Sequence, residues 1–281
     1  MACFRAMNTD VEVLDTPSTK IEALFLDWHR RLSRFDESSE LSALNRSGGT
    51  WFEASPLLYV VLERALHWAA ETDLFDPTIA GALAGAGYDR SFELVLPRLG
   101  GGRVAAAERR SWRDVQLRQR CILLPPGVHL DLGGIAKGMA VDAALRPYAE
   151  GLVNAGGDLY AKGREYLVGV ENPFEPRCDL LTLRVWDRGV ATSSTWKRRW
   201  SSEAHHLIDP RTGRSSDTDV LSATVVAASA EEAEVSAKVA LLIGLERGYD
   251  WLNERGLAGL LVGREGTLLA SDGFEAYVAV S

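Results

Sequence analysis

The chain has 281 residues, 46% hydrophobic and 25% charged, the make-up of an ordinary globular protein long enough to bury a substantial core. A formal net charge of −8 with no basic stripe excludes non-specific nucleic-acid binding; Lys197-Arg198-Arg199 is short enough to be a solvated face. Three scattered cysteines without a CxxC pair exclude a disulfide framework and a cysteine zinc site, and no apolar run reaches the length of a membrane span. The N-terminal MACFRAMNTD turns polar too soon for a signal peptide, so the expectation is a soluble, cytoplasmic protein.

TDVEVL (9–14) alternates as a half-buried strand does. Thr19 and Glu22 form a capping box for a helix whose Ile21, Leu24, Phe25, Trp28 and Leu32 share one face. SRFDESSELSALN (33–45) reads as a polar surface connection. Ser55 and Pro56 then announce a helix with an apolar stripe from Leu58 to Ala69, ending near Thr72. FDPTIAGAL (75–83) opens on an Asp-Pro turn, and 97–111 reads as a flexible excursion.

An apolar strand, VHLDL (128–132), is expected to end at Gly133-Gly134 and enter a helix with Lys137 in its first turn. This is neither a GxxxxGK[ST] nor a GxGxxG loop. LVNAGGDLYAKG (152–163) is a strand broken by a glycine pair, and strands continue through YLVGVENP and LLTLRVWDRGVATS. HHLIDPRTGRS (205–215) carries turns, SATVVAAS (222–229) is a strand, 230–248 reads as one amphipathic helix, and 259–271 as a hairpin. Strands and helices interleave without a βαβ rhythm, which indicates an α+β fold with mixed or antiparallel sheet, and no linker divides the chain.

Four turns hold the chemistry: FDPT, DLGGIAKG, NAGGD and HHLIDPRTG. Converging, they would supply Asp76, Asp131, Asp158, Asp209, one lysine, one or two histidines and many backbone N–H groups. That inventory suits a phosphate-bearing ligand better than a His/Cys metal cage, and no GxSxG elbow indicates a nucleophile. Each turn taken alone is equally well explained as architecture, and His206 as a half-buried histidine partnered by Asp209.

In order, MNT (7–9), SRFDESSELSALN, FDPTIAGAL, LDLGGIAKGMAVD (130–142), LVNAGGDL, GVENP, VATS (190–193) and HHLIDPRTG resemble the ApbE family of FAD:protein FMN transferases over nearly the whole chain. The resemblance implies a single domain over 1–281, of the T-fold-like ApbE type, with FAD in a cleft between two intimate lobes. It implies a reaction in which FAD is cleaved, FMN is attached through its phosphate to a threonine or serine of a partner flavoprotein, and AMP is released. A non-catalytic FAD carrier and an FAD pyrophosphatase giving FMN and AMP are the alternatives.

By the same resemblance Met7, Phe35, Leu74, Phe75, Asp76, Asp131, Lys137 and Leu207 contact FAD. Lys137 would pair with phosphate and Asp131 accept hydrogen bonds from adenosine or flavin, while His206, tuned by Asp209, would act as acid–base or orienting group. The family's magnesium site implies a carbonyl near Gly134 together with an aspartate and a threonine on the late helix, in a pattern near ADALATA. Here Glu234 and Lys238 stand at those two positions, and Ser194 stands where glycine is frequent. Three readings stay open: metal binding is lost, the Lys238 ammonium takes the cation's place, or a metal binds elsewhere with help from Glu234.

Overall fold

The structure, a computed structural model, describes residues 1–91, 111–201 and 204–279. The chain begins with β1 (Ala2–Ala6), β2 (Thr9–Leu14), α1 (Thr19–Leu32), α2 (Glu40–Arg46), β3 (Trp51–Glu53), α3 (Pro56–Thr72) and α4 (Ala80–Gly85). Then come β4 (Gln116–Arg118), β5 (Cys121–Leu123), α5 (Ala136–Leu145), β6 (Gly151–Ala155), β7 (Asp158–Lys162), β8 (Tyr166–Glu171), β9 (Asp179–Val185) and β10 (Arg188–Ser194). It closes with β11 (Ile208–Asp209), β12 (Arg214–Ser215), β13 (Val220–Ala227), α6 (Ala230–Ile243), α7 (Leu245–Glu254), β14 (Ala258–Gly263) and β15 (Leu268–Ala270). The expected α+β class holds, and all described strand pairs are antiparallel.

Two compact units emerge. Unit 1 is Met1–Leu24, Lys137–Lys197 and Asp217–Ser281; unit 2 is Phe25–Ala136 and Arg198–Ser216. Unit 1 is built on an eight-stranded sheet in the order β1-β2-β6-β7-β10-β13-β14-β15. One face packs through Leu159, Val190, Val226, Leu260 and Val262 against Tyr166, Val170, Leu183 and Val185 of the β8–β9 hairpin. Alternation turns the intervening Leu261 toward the opposite face, where α6 and α7 lie. A sheet covered on both faces explains why β14 is buried at every position.

The N-terminus of α6 is fitted closely into unit 1. Ser229 caps it, and Asp142 of α5 accepts from the N–H groups of Ala230 (2.8 Å) and Glu231 (3.0 Å). Burial pushes the Asp142 carboxyl up to about 6, against the lowering pull of these two amides. An unfolded aspartate ionises near 3.9, so between that pH and about 6 the folded protein keeps a proton that the unfolded chain has lost. Stability from this group is full below that window and is lost as pH rises through it, by up to about 2–3 kcal/mol. Urea unfolding from pH 4 to 7 is expected to show that decline, and Asp142→Asn to flatten it.

Unit 2 holds α2, α3, α4, a three-stranded sheet in the order β3-β5-β4 and the β11–β12 pair. Ser55 caps α3 as its sequence announces, and Glu40 takes both the N–H and the hydroxyl of Ser55.

Three expectations need correction. Within 33–45, α2 replaces the loop: Ser39 accepts from Ser42 N at 2.9 Å, and Leu41 and Leu44 are fully buried. The strand at 128–132 has no ladder, because the Asn45 amide supplies the bonds a neighbouring strand would make. Its Oδ1 accepts from Leu130 N at 2.7 Å and its Nδ2 donates to Leu130 O at 3.0 Å. The helix over 230–248 is two helices, broken at Gly244, whose φ of +94° is one that L side chains rarely adopt. The excursion at 97–111 lies outside the described residues except for Ser111.

Candidate functional site

In unit 1, four charged side chains meet. The β6–β7 hairpin turns on Gly156 and Gly157, both at positive φ as a tight two-residue turn requires, and so sets Asp158 at the start of β7. Lys137 enters from the first turn of α5, and α6 places Glu234 and Lys238 one turn apart. Lys137 Nζ lies 2.8 Å from Asp158 Oδ2 and 2.5 Å from Glu234 Oε1; Lys238 Nζ is 3.1 Å from the same Oε1. Glu234 Oε2 accepts from Gly138 N at 2.8 Å.

Glu234 is wholly buried and Lys137 is 8% exposed, so two cations and two carboxylates form a formally neutral cluster out of water. Burial alone would raise Glu234, but the two ammonium groups and the Gly138 amide hold it down to about 2. Asp158 is pushed up by burial and by the Glu234 charge, while burial pushes Lys238 down.

This donor set does not fit a divalent ion at Glu234. Both Glu234 oxygens are committed, one of them to two ammonium groups, and among the described residues no group of three or more His, Cys, Asp or Glu could hold a metal. Gly134 belongs to unit 2 and Glu234 to unit 1. Neither Gly133 nor Gly134 has a positive φ, so that turn does not depend on glycine for its backbone conformation.

Unit 2 brings FDPT and LDLGG together: Asp131 N donates to Pro77 O at 2.8 Å. Asp76 accepts from Thr78 N (2.7 Å) and Thr78 Oγ1 (2.6 Å). The N–H groups of Leu74 and Phe75 donate to Thr72 Oγ1. Asp131 Oδ1 accepts from Gly133 N at 2.8 Å, and Oδ2 is gripped by the Arg34 guanidinium.

Arg34 also donates to Tyr88 O at 2.6 Å and lies over the rings of Phe35 and Tyr88. Tyr88 meets Phe35 edge-on at 5.3 Å and stacks on Trp200 at 5.5 Å, and Trp200 Nε1 donates to Ala86 O at 2.8 Å. Phe35 therefore sits in an aromatic group with a cation that also neutralises Asp131.

Of the histidine pair, His205 is the buried one. Its Nδ1 accepts from Leu207 N at 3.2 Å, which leaves Nε2 to donate to Ser216 O at 2.9 Å, a neutral imidazole that anchors the turn. His206 is half-buried and its N–H donates to Arg198 O. Leu207 is buried. Asp209 gives both oxygens to Arg211, so the carboxylate expected to tune His206 is already engaged by that guanidinium.

Met7 lies in unit 1 with Asn8 on the two-residue β1–β2 turn, both at positive φ, uncommon for methionine. Arg34, Tyr88, Trp200 and His205 were not among the candidates. Arg34 stands inside SRFDESSELSALN, but its partners Asp131 and Tyr88 lie 97 and 54 residues away; His205 stands beside His206, and its ring is fixed by Leu207 and Ser216, 2 and 11 residues on.

The sequence model of the ApbE family matches residues 7–261. The chain belongs to the ApbE family. Among its relatives, a Klebsiella pneumoniae FAD:protein FMN transferase is 32% identical over 47% of this chain and 45% of that protein. A Treponema pallidum FAD:protein FMN transferase is 29% identical over 79% of this chain and 70% of that one. The chain spans about half the length of several curated relatives that it matches. The ApbE protein of Thermotoga maritima shares the fold, with a TM-score of 0.85 and 24% identity over 99% of both chains.

Proposed function

We propose that the protein is an FAD:protein FMN transferase. It cleaves the FAD pyrophosphate, attaches FMN through a phosphoester to a threonine or serine of a partner flavoprotein, and releases AMP. The observation that carries this reading is the family match over residues 7–261, which takes in all eight motifs from MNT (7–9) to HHLIDPRTG (205–213).

Phosphoryl transfer asks for an in-line acceptor, neutralised phosphate charge and removal of the hydroxyl proton. His206 is assigned the proton, as the half-buried histidine beside a rigid, neutral His205. The Arg34–Phe35–Tyr88 group and Asp131 suit the flat, hydrogen-bonding parts of FAD, and Met7, Leu74, Phe75, Asp76 and Leu207 complete the proposed contacts; Lys137, whose ammonium already bridges Asp158 and Glu234, would reach phosphate only by releasing one of them. Cytoplasmic residence is supported by three unpaired cysteines, and no helix among the described residues is long and apolar enough to cross a membrane.

Incubation with FAD and a flavin-accepting protein should yield AMP and covalent flavin in equal amounts. AMP with free FMN would instead make it a pyrophosphatase, and tight FAD binding without AMP a carrier. His206→Ala is expected to lower the transfer rate about 10²–10⁴-fold with FAD affinity little changed. A wild-type rate would remove the assigned role.

A further inference from the structure

We propose that Lys238 is a resident cation that closes the Glu234 carboxylate to divalent metal ions, so that the protein dispenses with a metal at this position. The ammonium lies on α6 one turn beyond Glu234, 3.1 Å from Oε1, and its side chain is only 17% exposed. It is held in place by the helix rather than recruited from solvent. With Lys137 it balances Asp158 and Glu234, leaving no net charge to draw in a metal ion. The remaining Glu234 oxygen accepts the Gly138 N–H, and the side chain is wholly buried.

Charge arithmetic gives the converse. Taking away the Lys238 charge leaves one lysine against two buried carboxylates, a net −1 that a small cation would neutralise. Lys238 is therefore a specificity residue: it decides between a built-in monovalent charge and an exchangeable divalent one. This inference goes beyond the transfer reaction and does not depend on it.

The test is uptake of Mn²⁺ by the protein without FAD or acceptor, followed by electron paramagnetic resonance and by thermal unfolding. Wild type is expected to leave Mn²⁺ free, with an unchanged melting temperature. Lys238→Thr should bind one Mn²⁺ at least about tenfold more tightly and melt higher as Mn²⁺ is added. Lys238→Met, which keeps the apolar stem and its packing, replaces Lys238→Thr if the latter fails to fold.

Wild-type binding as tight as that of the variant would overturn the proposal. So would a folded variant that takes up no Mn²⁺. Because the readout is metal uptake, failure to transfer FMN would count against the proposed function and leave this result standing.

Discussion

Glu234→Ala is expected to destabilise the protein by about 3–5 kcal/mol, the range for removing one member of a buried charge group. Two ammonium groups would be left facing Asp158 alone, and the Gly138 N–H would lose its acceptor at the same time. Urea unfolding measures the loss. The electrostatic origin has its own check in Glu234→Leu combined with Lys238→Met, which leaves the neutral Lys137–Asp158 pair. The double variant is expected to recover a large part of what the single one loses, because an apolar pair of similar volume is tolerated where a lone buried charge is not. If it is no more stable than Glu234→Leu alone, which fills the same volume but keeps both ammonium groups, the cost does not come from charge.

Gly138→Ala should be nearly as severe, for a steric reason. A Cβ at that position would lie 2.6 Å from Ala230 O, 2.7 Å from Ala230 C and 2.8 Å from Glu231 Cα. These are backbone atoms of the first turn of α6, the turn already held by Asp142 and Ser229, so they have no side-chain rotamer to give way. Relief requires sliding α5 from α6, which also draws the Gly138 N–H off Glu234. We expect a loss of about 3 kcal/mol or more, and a fall in melting temperature of roughly 6–12 °C. Gly81→Ala, at a helical position with no neighbour within 4 Å, is the matched control and should leave stability almost unchanged.

What could be read from the sequence follows the range of the interactions. The helix from Thr19 to Leu32 and the capped start at Ser55-Pro56 were legible because their determinants lie within one turn of each other. The Gly156–Gly157 turn was legible because a glycine pair between apolar runs has few other uses. The family's order of motifs carried the fold class and the candidate residues further than periodicity could.

Long-range partners were not legible. Asn45 satisfies Leu130 from 85 residues away, and Arg34 grips Asp131 from 97. No local pattern tells a polar residue in a connection from one that finishes another segment's hydrogen bonding. The short α2 was hidden for a related reason. It shows two buried leucines and a serine cap, too few signals to outweigh the polar residues around them. Within the site, Glu234 and Lys238 could be placed on one helix face from spacing alone, whereas their convergence on Lys137 and Asp158 depends on the β6–β7 turn and on the approach of α5.

The division of unit 1 into three stretches of chain has a consequence for how the protein folds. In its central sheet Leu14 lies opposite Leu152, with all of Phe25–Ala136 intervening, whereas β1–β2 and β6–β7 are closed by two-residue turns. Loop closure grows more costly by only about 0.6 kcal/mol per doubling of length, so the long insertion weighs little on final stability. It weighs on rate, because the ends must meet before their contacts stabilise anything. Pulse-labelled hydrogen exchange should accordingly find the β1–β2 and β6–β7 amide pairs protected before those that join β2 to β6.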